Sequence, residues 1–346
     1  MNRNLIITST VGMSADNWLK YRKRGLGASE IGTVLGLNPY KSKLELFYDK
    51  VTLQPKTNIE NIAMFMGHYH EAAVADLWQY WDGSEQGMID NYRKGNKVRK
   101  CRRINAYVSN PKYPWLFASL DRIINKGNAN IHGSDYEASE NEGALEIKTI
   151  AGYEADKWEA GIPPSHLVQV ITQMLVCEFQ YGEIAAMKDG RYFSVWPFNF
   201  NPIIAKNIVE QSKEFWESVI EGRKLMTQKF EAEYSHNIKL ANECQAKLDV
   251  IEPEPDGSES CENFLKEKYK KAKTHAGIIT GTPYDLQLAK EHKADKEAAK
   301  VLEQRMREFE NTLKRRIADG NTLDFGKDGK VTWQGEPRRF NNKIKL

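Results

Sequence analysis

The chain has 346 residues, 40% of them hydrophobic and 28% charged, with a formal net charge of +3. This is enough apolar material for one sizeable core plus an appendage or a second small domain, and too little net charge to announce a nucleic-acid partner. Cys101, Cys177, Cys244 and Cys261 are too scattered for a zinc knuckle or a redox pair, and Leu5-Ile6-Ile7 is too brief for a signal or membrane segment, so a soluble, cytoplasmic protein with reduced thiols is expected.

Ser14 can cap a first helix containing Trp18, Leu19 and Tyr21, which Gly25 and Gly27 interrupt. Ser29 can cap a short helix over residues 31–35, Asn38-Pro39 ends it, and a third helix is expected at about 44–50. The clearest helix of the first half spans residues 60–81, where Ala63, Met66, Val74, Leu77, Trp78 and Trp81 recur at spacings of three and four or their sums. Gly67 and Glu71 share one face of it, and the glycine would leave room beside the carboxylate. Between Asn91 and Arg103 stand seven basic residues and no acid. Such a run could track a phosphate backbone, although a solvated loop or edge strand is the commoner outcome.

Residues 104–149 alternate in the manner of strands. Leu116-Phe117-Ala118-Ser119-Leu120 leads into Asp121, Ile123-Ile124 continues it, a polar stretch fills 126–143, and Ala144-Leu145-Glu146-Ile147-Lys148-Thr149 returns to a strand. Pro163-Pro164 introduces a helix burying Leu167, Val170, Ile171, Met174 and Leu175. Residues 183–187 and 191–196 read as a hairpin around Lys188-Asp189-Gly190, and 202–248 as helix. The order describes an α/β core with a mixed sheet. An acidic stretch with Pro253 and Pro255 reads as a linker. Beyond it, residues 259–320 are charged and helical, with the longest helix at 283–318, and residues 323–333 read as a small hairpin around Lys327-Asp328-Gly329. Two domains are therefore expected: residues 1–250, and a helical extension over 251–346.

Chemistry centres on Glu146-Ile147-Lys148. In a strand, residues i and i+2 point to the same side, so this carboxylate and this ammonium are neighbours while Ile147 turns into the core. The acid can hold a hard divalent cation; the lysine can orient or deprotonate a water and offset charge on a phosphorane. Alone, Glu-x-Lys on a strand is usually a surface ion pair. Asp121, at the end of an apolar strand, and Glu71, on an amphipathic helix, complete an ordered set of three acids and a lysine.

The ordered set resembles the YqaJ or phage lambda exonuclease family of PD-(D/E)XK nucleases. The resemblance covers roughly residues 14–200. It is carried by the stretch from Trp18 through Arg22 and Gly27-Ala28-Ser29-Glu30 to Pro39-Tyr40, by Met66-Gly67-His68-Tyr69-His70-Glu71, by Ser119-Leu120-Asp121 with Glu146-Ile147-Lys148, and by the helix with Gln169 and Gln173. It implies a restriction-endonuclease-like core, a mixed sheet flanked by helices, in the domain 1–250. It also implies Mg2+, with Mn2+ as a substitute, on Glu71, Asp121, Glu146 and the Ile147 carbonyl. Catalysis would fall to the three acids with Lys148 and Gln169, and DNA phosphate to Arg22, Ser29 and Arg24. The implied activity is 5′-to-3′ digestion of double-stranded DNA ends in phage-type recombination, with a single-strand annealing protein and a ring trimer as possible partners. Two features depart from the family pattern: Leu120-Asp121-Arg122 stands where it has Pro-Asp-Gly, and 25 residues separate Asp121 from Glu146, which leaves Asp135 as an alternative ligand. A structure-specific or nicking endonuclease is the nearest alternative function. A DNA-binding scaffold with a dead core is disfavoured by the complete acid-and-lysine set, and the iron–sulfur branch of the superfamily by the lack of clustered cysteines.

Overall fold

The strand-forming stretches assemble into three sheets in a computed structural model that describes residues 4–52, 61–128, 131–133, 136, 141–159, 161–270, 279–336 and 339–344. The chain divides into two units, Met1–Lys270 and Lys271–Leu346. In the first, a four-stranded sheet runs in the order β1 (Ile6–Ser9), β4 (Ala106–Ser109), β5 (Leu116–Ser119), β2 (Leu26–Gly27). A five-stranded sheet runs β3 (Cys101–Arg102), β6 (Arg122–Ile124), β7 (Gly143–Ile150), β8 (Tyr181–Lys188), β9 (Tyr192–Asn199). Strands β7 and β8 are parallel, from Gly143 opposite Tyr181 to Ile150 opposite Lys188, and their neighbours are antiparallel, so the central sheet is mixed as expected.

A parallel pair needs a crossover, here supplied by α6 (Ala155–Glu159) and α7 (Pro164–Cys177). The hairpin between β8 and β9 turns on Asp189 and Gly190, both with positive φ, as an Asp-Gly pair favours. Period-two alternation then sorts β7. Ala144 joins Val170, Ile171 and Met174 of α7 in one core cluster; Leu145 and Ile147 join Val74 and Trp78 of α4 (Ile62–Trp78) in the other. The sheet is thus flanked by α7 on one face and α4 on the opposite one. Ile147 is buried on the α4 side, as its alternation with Glu146 and Lys148 requires.

The remaining helices of this unit are α1 (Ala15–Arg22), α2 (Ile31–Val34), α3 (Lys43–Val51), α5 (Glu85–Lys94), α8 (Pro202–Tyr234), α9 (Ile238–Ile251) and α10 (Glu259–Lys268). Ser14 caps α1 through a hydrogen bond from the Asn17 amide, as expected. Ser29 does not cap α2. It lies inside a 3-10 turn, Ala28–Glu30, and Glu30 precedes the helix instead. Gly25 is fixed by crowding, since a Cβ there would stand 2.6 Å from the Trp115 carbonyl oxygen. Gly67 is not, because its Cβ would meet only Thr149 Oγ1, at 3.7 Å.

Two expectations change in part. The basic run is solvated and reaches an edge strand, as expected, over most of its length: it ends α5, leads into β3 at the sheet edge, and exposes six of its seven bases, but Arg99 is fully buried. Burial works because Arg99 lies 3.8 Å over the Trp78 ring and pairs with buried Glu183, which also accepts from Trp78 Nε1 at 2.6 Å. The division of the chain falls at Lys270 rather than 250. Helix α10 packs on α3, where Ser260 donates to Glu45 at 2.7 Å and Lys268 Nζ lies 3.7 Å from the Tyr48 ring centroid.

In the second unit, α11 (Pro283–Ile317) begins in a capping box between Thr282 and Asp285. It is followed by a sheet of β10 (Thr322–Asp324), β11 (Gly329–Gln334) and β12 (Arg339–Ile344). The expected hairpin is present and gains a third strand, β12. Among the described residues, no helix is long and apolar enough to cross a membrane.

Candidate active site

Strands β5 and β6 are consecutive but belong to different sheets, and the chain crosses between them at Leu120-Asp121. This crossing explains why no Pro-Asp-Gly turn is needed, since Arg122 simply opens the next strand. It also sets Asp121 beside β7, where its Oδ2 accepts the Ile147 N–H at 2.8 Å. A strand residue presents its N–H and C=O to the same edge, so the Ile147 carbonyl opens toward Asp121 as well.

Glu146, almost wholly buried, is held at both oxygens. Its Oε1 accepts from Lys148 Nζ at 2.7 Å and Gln169 Nε2 at 2.6 Å, and its Oε2 from Gln173 Nε2 at 2.7 Å. Gln169 and Gln173 are one α-turn apart on α7, which places both amides over the same carboxylate. Burial pulls the Lys148 ammonium toward neutrality, but the Glu146 charge and hydrogen bond outweigh it and raise its pKa. Asp121 moves the other way: burial first, then the Glu146 charge, push its carboxyl well above the usual range. Asp121 and Glu146 are therefore a crowded acid pair that shares one lysine.

Glu71 approaches from α4 but is committed elsewhere. Arg122 Nη1 donates to it and to the Asp121 carbonyl, each at 2.6 Å, and Arg103 stands 4.0 Å away. Among the described residues, no three or more His, Cys, Asp or Glu side chains are grouped as a metal site. Two of the three expected acids face each other; the third faces an arginine. Asp135, the alternative ligand, lies outside the described residues.

Glu71, Asp121, Glu146, Ile147, Lys148 and Gln169 all line one cleft of about 580 Å3, and Arg22, Ser29 and Arg103 line it too. Arg22 reaches Glu30 at 3.2 Å and packs 4.9 Å over Trp18; Glu30 is itself tied to buried Lys50 at 2.7 Å. Arg24 lies outside the cleft, exposed and 5.4 Å over the Tyr21 ring. Three residues escaped the site set drawn from sequence: Gln173, Arg103 and Arg122. Gln173 carried a usable signal, its spacing of four from Gln169. Arg122 was visible only as a departure from the family pattern, and Arg103 only as one of seven bases.

The mixed sheet thus carries Asp121 beside the Glu-x-Lys strand β7, with a third acid, Glu71, on α4. Residues 17–180 match the model of the YqaJ-like viral recombinase domain. A Bacillus subtilis (strain 168) protein described as uncharacterized protein YqaJ is 26% identical over 315 residues, 91% of this chain and 82% of its own length. Among solved structures, the chain is similar to the Laribacter hongkongensis alkaline exonuclease LHK-Exo, at 15% identity and TM-score 0.45, over 62% of this chain and 97% of that one. LHK-Exo in complex with dAMP matches at the same identity and TM-score over 65% of this chain and all of that one.

Proposed function

We propose that this protein is a magnesium-dependent deoxyribonuclease that digests double-stranded DNA ends from 5′ to 3′. The observation that carries the reading is half-buried Asp121 beside buried Glu146, with Lys148 between Glu146 and Gln169, in the cleft that Arg22 and Ser29 also line. The donor set fits a hard divalent cation. Two repelling carboxylates with a backbone carbonyl beside them offer the oxygen ligands magnesium and manganese prefer. Asp121, Glu146 and the Ile147 carbonyl would hold it, and Glu71 would join once released from Arg122. Such a cation supplies Lewis-acid stabilisation of a phosphoryl oxygen and a more acidic water.

The chain's own groups account for the rest. Lys148, kept protonated by Glu146, orients the attacking water and offsets charge on the phosphorane. Gln169 and Gln173 fix Glu146 in one rotamer. Arg22 offers a planar fork to phosphate, and Ser29, not used as a helix cap, a hydroxyl. A terminal 5′-phosphate can carry a second negative charge that an internal diester lacks, which favours the exonuclease reading at this wall. A single-strand annealing protein as partner, and a ring of three copies, belong to the same reading through the family's role in recombination.

The test is an end-labelled duplex incubated with magnesium, in linear and covalently closed forms. Digestion of linear DNA alone, faster from phosphorylated ends and slowed there by Arg22→Ala, is the expected result. Cutting of closed circles, with no preference between phosphate and hydroxyl ends, would move the assignment to a structure-specific or nicking endonuclease.

A further inference from the structure

A second cleft, of about 510 Å3, opens on the far side of Lys148 and shares Ser29, Lys148, Thr149 and Gln169 with the first. The two differ in chemistry. The first is ringed by arginines and carboxylates. Among the described residues, the second adds two charged side chains, Glu154 and Lys157, and these pair with each other at 3.5 Å. Tyr40 ties them further: its hydroxyl accepts from Lys157 Nζ at 2.9 Å and donates to Glu154. Beyond the shared Lys148, no described side chain of this cleft is left with a charge to offer a phosphate.

What the second cleft offers instead is apolar and aromatic surface. His166 stacks on Trp158, with ring centroids 5.2 Å apart and planes 24° apart, and Leu37, Pro39 and Pro163 add to the wall. Burial, then the Lys148 charge, hold His166 down at about 4, so at neutral pH it presents an uncharged ring. Of the uncharged hydrogen-bonding side chains that line it, Asn38 and Tyr40 are already engaged with protein partners. Asn38 spends its amide on Thr33 Oγ1 at 3.0 Å and its oxygen on the Tyr40 N–H at 2.9 Å.

We propose that this second cleft receives a nucleobase of the strand being cut, while that nucleotide's phosphate lies across Lys148 in the first cleft. Recognition there is by stacking and apolar burial, with little discrimination among bases, because every base has a π-face to offer. The inference rests on the DNA-nuclease reading only in naming the strand; the base pocket can be probed without cleavage.

The full chain, with magnesium, is titrated in a calorimeter with dAMP, dTMP and deoxyribose 5-phosphate. The two nucleotides are expected to bind within about fivefold of each other and about tenfold or more tighter than the sugar phosphate, the scale of base–aromatic stacking. His166→Ala should bring both nucleotides down to the sugar phosphate's affinity and leave the sugar phosphate unchanged. Leu37→Trp, on the exposed rim, should do the same by filling the pocket, so a folding defect at His166 does not decide the matter. Equal binding of all three ligands, no nucleotide binding, or nucleotide affinity indifferent to both variants overturns the proposal. Cutting of duplex DNA alongside any of those results would leave the nuclease reading standing alone. Base-dependent binding without cutting in any metal would sink the nuclease reading and keep the pocket.

Discussion

Lys148 is the residue on which the chemistry turns. Lys148→Ala should lower turnover by about 100-fold or more, because it removes stabilisation of charge that develops only in the transition state, while binding of uncut duplex stays near normal. Single-turnover rates and a gel-shift titration separate the two effects; near-normal turnover would reduce Glu146-Ile147-Lys148 to an ion pair. Arg122 acts in the opposite sense. Its guanidinium occupies the Glu71 carboxylate, so Arg122→Ala should tighten manganese binding by about tenfold or more in calorimetry, through a freed ligand and a lost positive charge. Unchanged affinity would mean that Glu71 is not a ligand. Glu183 is a structural counterpart. Burial favours its neutral form, but the Arg99 charge and hydrogen bonds from His132, Arg99 and Tyr181 outweigh it and hold the carboxyl at about 2, against an ordinary 4.5. Its folded pKa is depressed, so its stabilisation is complete above about 4.5 and fades as pH falls toward 2. Glu183→Gln should cost about 3–5 kcal/mol at neutral pH, since it strands buried Arg99, and should flatten the acid limb of a denaturation-against-pH curve.

Among the elements, glycine marks two different constraints. At Gly25 the first helix has ended and β2 begins against β5, with the Trp115 carbonyl and Phe117 ring in the space a methyl would need. Gly25→Ala should destabilise by about 1–3 kcal/mol, read as a fall in melting temperature, because backbone and ring must both give way. At Gly67 the helical periodicity suggests a space kept open for Glu71, but a Cβ there would meet β7 only at Thr149 Oγ1, at an ordinary contact distance of 3.7 Å. Gly67→Ala should leave cleavage intact and raise stability by about 0.5–1 kcal/mol, the usual gain from removing a glycine inside a helix. Loss of cleavage in that variant would restore a role for the open space.

For the whole molecule, the division at Lys270 has a practical consequence. A fragment of residues 1–270 should fold and cut DNA, because it keeps every residue of the cleft and the packing of α10 on α3. One ending at 250 should melt earlier, because it loses buried Cys261 and strips Phe264 and Lys268 from the Tyr48 ring. Melting curves and the end-labelled digestion on both fragments check this. A folded but inactive 1–270 fragment would assign chemistry to the second unit.

The sequence by itself determined whatever depends on local periodicity and local chemistry. The alternation of Glu146, Ile147 and Lys148, the proline entry to α7, the Asp-Gly hairpin and the Ser14 cap each need only a few neighbours, and each stands as read. The joining of Asp121 to Glu146 and Lys148 was legible only as an order of motifs. What tertiary structure decided was where charges find their partners. Arg99 looked like one base among seven until Glu183, 84 residues away, buried it. Glu71 looked like a free ligand until Arg122, from another strand, took its carboxylate. Ser29 looked like a cap until the chain made a 3-10 turn that left its side chain at the cleft. The charged, helical reading of residues 259–320 covered α10 but not the surface it packs on. Long-range pairing depends on the path of the whole chain, and a local pattern of charge or polarity carries no record of that path.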